Sequence, residues 1–193
     1  MNAPDGRPLL EVTSAAELRL WLERHCQGQE SAWLVTYKKG TGTRYVSTSE
    51  VLDELVAFGW TDGIRQKVDD DRTMQLISPR RTKPWAKTYK DRAERLIAEG
   101  RMAPAGQKSI NEAKLSGAWD EMNDVDDLVI PRDLHDSLSH ESDALQNFLT
   151  FPPSTRRNIL RWIALAKKSE TRQRRIDRIT IDAAKNVRTP VNG

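Results

Sequence analysis

The hydrophobic period changes along this 193-residue chain from mixed to purely helical, and that change limits the available folds more than any other feature. Two stretches read with period two. Ala32 to Lys38 is aromatic and β-branched, ends at Gly40 and Gly42, and resumes in Thr43-Arg44-Tyr45-Val46, which predicts a strand, a glycine turn and a short partner strand. From Trp60 to Val68, Trp60, Ile64 and Val68 share one parity and Gly63, Arg65 and Lys67 the other, the pattern of a strand with one buried face. Asp69-Asp70-Asp71 is the turn, and Thr73 to Ser78, with Met74 and Leu76 in phase, is the returning strand closed by Pro79.

All remaining apolar patterning is helical. Leu18, Leu22 and Cys26 follow the N-cap candidates Thr13 and Ser14. Val51, Leu52, Leu55 and Val56 follow Ser47 and Glu50 at capping-box spacing and stop at Gly59. Tyr89, Ala93, Leu96 and Ile97 run to Gly100, and Gly106, Ile110 and Ala113 run from Pro104 to Gly117. Beyond Pro131 come the stripes Leu134/Leu138, Ala144/Leu145/Phe148/Leu149, Ile159/Trp162/Ile163/Ala166 and Ile176/Ile179/Ala183/Val187. The expected fold class is therefore α+β. A small antiparallel sheet with flanking helices occupies residues 1–118, an acidic linker or loop residues 119–130, and a C-terminal helical bundle residues 131–193.

Charge is segregated in a way the net value of +3 conceals. Residues 117–152 hold 9 acidic side chains and 1 basic one, whereas residues 153–193 hold 11 basic and 3 acidic ones. Such blocks either neutralise each other in the fold or leave the basic one facing an anionic partner. No apolar run approaches the roughly 20 residues of a membrane helix, so no membrane insertion is expected. Met1 to Pro8 carries Asp5, Arg7 and two prolines without an apolar core, which does not read as a secretory signal and makes the cytoplasm the expected compartment. Cys26 is the sole cysteine and the histidines do not cluster, so no disulfide, metal site or cofactor is expected.

Hairpin register brings Asp62 toward Pro79 and Arg80, with Gly63 beside it and Trp60 at the strand start. Arg80, Arg81 and Lys83 follow directly, Trp85 is close by, and Lys38 ends another strand. Guanidinium forks hold phosphate or carboxylate groups at two points, and a tryptophan face stacks aromatic or cationic ligands. Lys38, Trp60, Asp62, Gly63, Arg80, Arg81 and Trp85 are accordingly the candidate binding set for an anionic or aromatic small molecule. The architectural alternative makes Asp62 and Arg80 an ion pair locking the hairpin, with Trp60 and Trp85 as core aromatics. A second candidate surface is Lys167, Lys168, Arg172, Arg174, Arg175 and Arg178, a basic strip suited to nucleic-acid phosphates. No phosphate loop, nucleophile elbow or metal-ligand spacing is present, so no catalytic residue is assigned. The enzyme alternative reduces to Asp62 with Glu54 as a carboxylate pair, and a non-enzymatic protein is the expectation.

Ala32-Trp33-Leu34 with Tyr37-Lys38-Lys39, then Ala57-Phe58-Gly59-Trp60-Thr61-Asp62-Gly63, Ser78-Pro79-Arg80-Arg81, Trp85-Ala86-Lys87, Leu96 to Met102, and Glu170-Thr171-Arg172 with Arg175-Ile176 occur in order. As a set, spread over nearly the whole chain, they resemble the YdeI/OmpD-associated, or bacteriocin-protection, family. Thr61 stands where that family's Gly-Trp-Ile-Asp-Gly motif has isoleucine, a substitution a strand tolerates. The resemblance implies a small helical OmpD-associated domain from about Pro131 onward, and a bacterial stress-resistance association rather than a reaction.

Overall fold

The computed structural model describes Ala3, residues 5–81 and residues 83–189. Met1, Asn2 and Pro4 of the leading segment, Thr82 and residues 190–193 lie outside the described part. The chain divides into two compact units, Met1–Asp120 and Glu121–Gly193.

The first unit is organised on β2 (Ala32–Tyr37), whose apolar run is buried on both faces over Ala32 to Thr36. It lies between β1 (Leu9–Glu11), to which it is parallel, and β4 (Arg72–Pro79), to which it is antiparallel from Ala32↔Ile77 to Tyr37↔Arg72. The edge strand β3 (Trp60–Lys67) pairs with β4 and completes a four-stranded sheet of order β1-β2-β4-β3. The sheet is therefore mixed rather than wholly antiparallel. The predicted partner strand at residues 43–46 is a 3-10 segment, Lys39–Arg44, with only a bridge between Tyr37 and Tyr45. Both edges of β2 are already taken by β1 and β4, so a further partner has no place to pair.

Strand phasing also departs from the sequence pattern. In β4 the buried residues are Gln75 and Ile77, not Met74 and Leu76. Ile77 opposes Ala32 and Asp62 in register, while the Gln75 amide is satisfied by Asp62 and Arg65, so a polar residue occupies a buried position. In β3 the register shifts between Asp62 and Arg65, and Ile64 and Val68 end up 61% and 41% exposed instead of sharing Trp60's buried face. An irregularity at Gly63-Ile64 re-aims the side chains beyond it.

Helices α1 (Ala15–His25), α2 (Thr48–Ala57), α3 (Lys87–Ala98) and α4 (Pro104–Ser116) build one core with Ala32, Leu34, Trp60 and Ile77. Ser14 caps α1 through the amide of Glu17, and Ser47 and Glu50 form the predicted capping box on α2. Centrally placed, α2 touches α1, α3, α4 and β3. Its buried carboxylates are matched by arginines of the neighbouring segments. Glu54 meets Arg19 at 3.0 Å and Arg101 at 2.9 Å, while Asp53 meets Arg92 and, at 2.5 Å, Arg95. Glu54 is thus part of a structural network, not half of a carboxylate pair with Asp62.

The second unit is all-helical: α5 (Asn123–Asp126), α6 (Arg132–His140), α7 (Ala144–Thr150), α8 (Pro153–Ala164) and α9 (Ser169–Ala184). Its core contains Leu134, Leu138, Phe148, Ile159, Ile163, Ile176 and Ile179, as the helical stripes predicted. Residues expected as linker contribute to it: Met122 and Val125, at and within a short helix, are buried, while Glu121, Asp124 and Asp127 are exposed. The acidic and basic blocks meet within this unit. Asp133 holds Arg172 through two bonds of 2.6 and 2.9 Å, and Asp126 lies 3.8 Å from Arg157 and 3.9 Å from Arg161.

Candidate functional site

Gly59 ends α2 with φ +72, a conformation glycine adopts without strain, and its carbonyl accepts the amide of Arg80 at 2.8 Å. This bond fixes the Pro79-Arg80-Arg81 segment against the end of α2. Beside it, α4 approaches so closely that a Cβ on Gly59 would sit 2.9 Å from the Ser109 Cβ. The turn after α1, the α2 terminus, Pro79–Arg81 and α4 together enclose a cleft of about 410 Å³. Its wall includes Gln29, Gly59, Arg80, Arg81, Lys108 and Glu112. A second depression of about 380 Å³ shares Gln29, Pro79 and Arg81 and adds Lys83. Arg81 stands at both, exposed, donating to the Gln29 carbonyl at 3.0 Å. Lys108 reaches Glu112 only at 3.9 Å across the exposed face of α4.

Arg80 behaves differently from Arg81. It is 7% exposed, and its guanidinium lies 4.3 Å from the Trp85 ring and 4.5 Å from the Tyr89 ring. Nη1 donates to the carbonyls of Lys83 and Pro84 at 3.3 and 3.0 Å, while buried Nε has no acceptor. Burial pushes the Arg80 pKa down, opposed by the field of Tyr89 and Asp62. Tyr89 joins the two predicted partners. Its hydroxyl donates to Asp62 Oδ1, and Gln75 Nε2 donates to Asp62 Oδ2 at 2.9 Å. Burial first, and then the bond to Asp62, raises the Tyr89 pKa to about 12, so the ring is neutral at ordinary pH.

The predicted set therefore separates. Asp62 and Arg80 are drawn together, but through Tyr89 and without an ion pair within 4.0 Å among the described residues. In register Asp62 faces Ile77, two residues short of Pro79. Trp85 is 1% exposed, with Arg80 on its ring and Trp119 tilted against it at 5.0 Å. Trp60 is equally buried, edge-on to Trp21. Neither indole offers a free face, so aromatic stacking of a ligand is not part of this cleft. Gly63 packs on Leu76 in the sheet. Lys38 lies at the opposite end of β4, where Nζ donates to the carbonyls of Asp69 and Asp70 and closes the hairpin turn. The eight residues of β4 at ~3.3 Å each put it roughly 25 Å from Arg80. Of the set, Arg80 and Arg81 line the cleft.

Lys108, Ser109 and Glu112 were missed by the sequence reading. The available signal was the small-residue face Ala105, Gly106, Ser109 of α4, which marks close approach by a neighbour. Among the described residues no group of three or more His, Cys, Asp or Glu could hold a metal ion. Likewise, no described helix is long and apolar enough to cross a membrane.

Residues 10–109, which contain most of this cleft, match the family described as "Domain of unknown function (DUF8412)". The chain belongs to this family. Residues 127–186 match a second family, described as "Bacteriocin-protection, YdeI or OmpD-Associated", so the helical unit carries the YdeI-type relationship. The landmarks from Ala32 to Met102 thus fall within the DUF8412 match, and only those from Glu170 to Ile176 fall within the OmpD-associated one. No curated protein and no solved structure matches the chain.

Proposed function

We propose that the first unit of this bacteriocin-protection-type protein binds a small anionic molecule in the cleft beside Arg81, without catalysing its conversion. The observation that carries the reading is the convergence of cations on one concavity. Arg81 and Lys108 project from different elements toward it, Lys83 borders the adjoining depression, and buried Arg80 underlies it without a carboxylate in ion-pair reach among the described residues. Glu112 is the one acidic side chain in the wall, so the local charge is positive. A planar guanidinium and an ammonium lining one cleft suit a phosphate or carboxylate group. Such binding fits protection by sequestering a harmful or signalling metabolite. Both oxygens of Asp62, the carboxylate considered for acid–base work, are engaged within the fold by Tyr89 and Gln75.

Thermal melts in the presence of inorganic phosphate, pyrophosphate and short dicarboxylates test this directly. A saturable rise is expected, worth about 2.7 kcal/mol at a ligand concentration of 100 Kd. The double variant Arg81→Ala/Lys108→Ala should lose it while melting normally without ligand, since both side chains are exposed. An equal response from that variant, or no stabilisation by any anion, removes the proposal.

A further inference from the structure

We infer that the solvent-facing pole of α9 is a second, separate anion-binding surface, and that its partner is a nucleic acid held through its phosphates. The structure sorts the basic residues of the second unit into two groups. Arg172 is consumed by Asp133, Arg157 and Arg161 face Asp126, and Arg175 bonds the Trp162 carbonyl while its guanidinium lies 4.8 Å from that ring. These hold the bundle together. Arg172 also donates to the Ile163 carbonyl in the last turn of α8, a helix-capping role. Lys167, Lys168, Arg174 and Lys185, by contrast, are exposed and have no ion pair among the described residues.

Within the second group, Arg174 and Lys185 fall on one line of α9. The buried side of α9 is Ile176, Ile179, Thr180 and Ala183. At 100° per residue, Arg174 and Arg178 point to the opposite pole, Lys185 continues it at the C-cap, and Lys167 and Lys168 lead into it. Arg178 joins the line while holding Asp182 at 2.8 Å, with its side chain still 60% exposed. Glu170 and Asp177 lie on one flank rather than along the pole. From Lys168 to Lys185 the cations extend over roughly 25 Å at 1.5 Å per residue, too far for one small anion to touch. The partner is therefore an extended polyanion.

A nucleic acid suits this face better than a membrane surface. The apolar side of α9 is spent on the core, and exposed Ile181 on the pole and Leu165 and Val187 beyond its two ends stand singly in sequence rather than as a helical stripe that could enter a bilayer. Phosphate tracking needs only exposed cations at helical spacing, which is what the pole offers.

The test uses the full chain with a short fluorescent DNA duplex, its RNA counterpart and anionic phospholipid vesicles. Binding to nucleic acid should weaken steeply with salt. Arg174→Glu/Lys185→Glu should reduce affinity at least tenfold and flatten the salt slope by about 0.9 for each phosphate no longer neutralised. Lys167→Gln/Lys168→Gln is a second variant with a milder loss in the same direction. Arg132→Glu, an exposed charge reversal on α6 whose side chain is 95% exposed, should change affinity less than twofold. Arg81→Ala/Lys108→Ala should leave nucleic-acid binding intact, which separates this surface from the cleft. The inference is overturned if neither nucleic acid binds at low salt, if only vesicles bind, or if Arg132→Glu weakens binding as much as the α9 variants.

Discussion

A guanidinium buried to 7% exposure with no carboxylate in ion-pair reach among the described residues has to be held by other means, and for Arg80 these are two aromatic faces and two backbone carbonyls. A desolvated cation–π contact contributes about 2 kcal/mol, comparable to one hydrogen bond to a charged group, so the two ring contacts can offset much of the cost of burying the charge. Arg80 is then a wall of the cleft and a fastening between Pro79 and α3, which leaves its exposed neighbour Arg81 as the contact for the proposed anion. Arg80→Ala should lower stability by about 2–4 kcal/mol, through both the missing stack and the space left between Trp85 and Tyr89. Arg80→Met refills that space without a charge and should cost less than half as much. Urea denaturation of the two variants decides the matter, and equal losses would show that the charge, not the packing, holds the segment. The sequence located Arg80 correctly beside the hairpin. It could not show burial, because an arginine next to a tryptophan reads the same whether the pair lines a pocket or closes one.

Between elements, the approach of α2 and α4 shapes the cleft. Gly106 is the contact point: a Cβ there would collide with the Ala57 carbonyl and with the Met102 sulfur. In an isolated helix Gly→Ala gains about 1 kcal/mol, but forcing backbone apart in a packed interior costs about 1–3 kcal/mol. The second effect should win, because one of the obstructing atoms is a backbone carbonyl that cannot swing aside as a side chain does. Gly106→Ala is expected to lower the melting temperature and, by lifting α4 off Gly59, to weaken any anion binding that depends on Lys108. A stabilised Gly106→Ala protein would contradict the packing argument. Helix positions and caps were legible here, since Ser14, the Ser47/Glu50 box and Gly117 act locally. Strand facing was not. The Trp60/Ile64/Val68 parity assumed an unbroken strand, and the register shift at Gly63 breaks it, while buried Gln75 hides the true inner face of β4 behind a polar letter. The strand Leu9–Glu11 was too short to carry a period and is visible only through its pairing with Trp33 to Val35.

At the scale of the whole molecule, the opposed charge blocks of the sequence turn out to have two fates. Part of the basic block is neutralised inside the helical unit by Asp126 and Asp133, Arg175 is held by Trp162, and Arg174, Arg178 and Lys185 lie on the pole of α9. Composition could reveal the blocks but not this division, which depends on which side of each helix a residue falls. The division has a consequence for acid stability. The Arg172 hydrogen bond holds the Asp133 carboxyl below its ordinary value of 3.8, so Asp133 is ionised more readily in the folded than in the unfolded chain. Its contribution is therefore complete above that value and is lost as pH falls through the lower, folded-state pKa. Both partners are partly exposed, with side chains 30% and 43% accessible, which limits the effect to about 1 kcal/mol or less. As the carboxylates protonate, the uncompensated cations of α8 and α9 repel one another, and added salt should counter that repulsion. Following the helical signal by circular dichroism from neutral pH to below pH ~3 should show destabilisation that salt partly reverses. Asp133→Asn should start less stable at neutral pH and lose less on acidification. If its acid unfolding instead parallels wild type, the Asp133–Arg172 link contributes nothing to how α6 and α9 are held together.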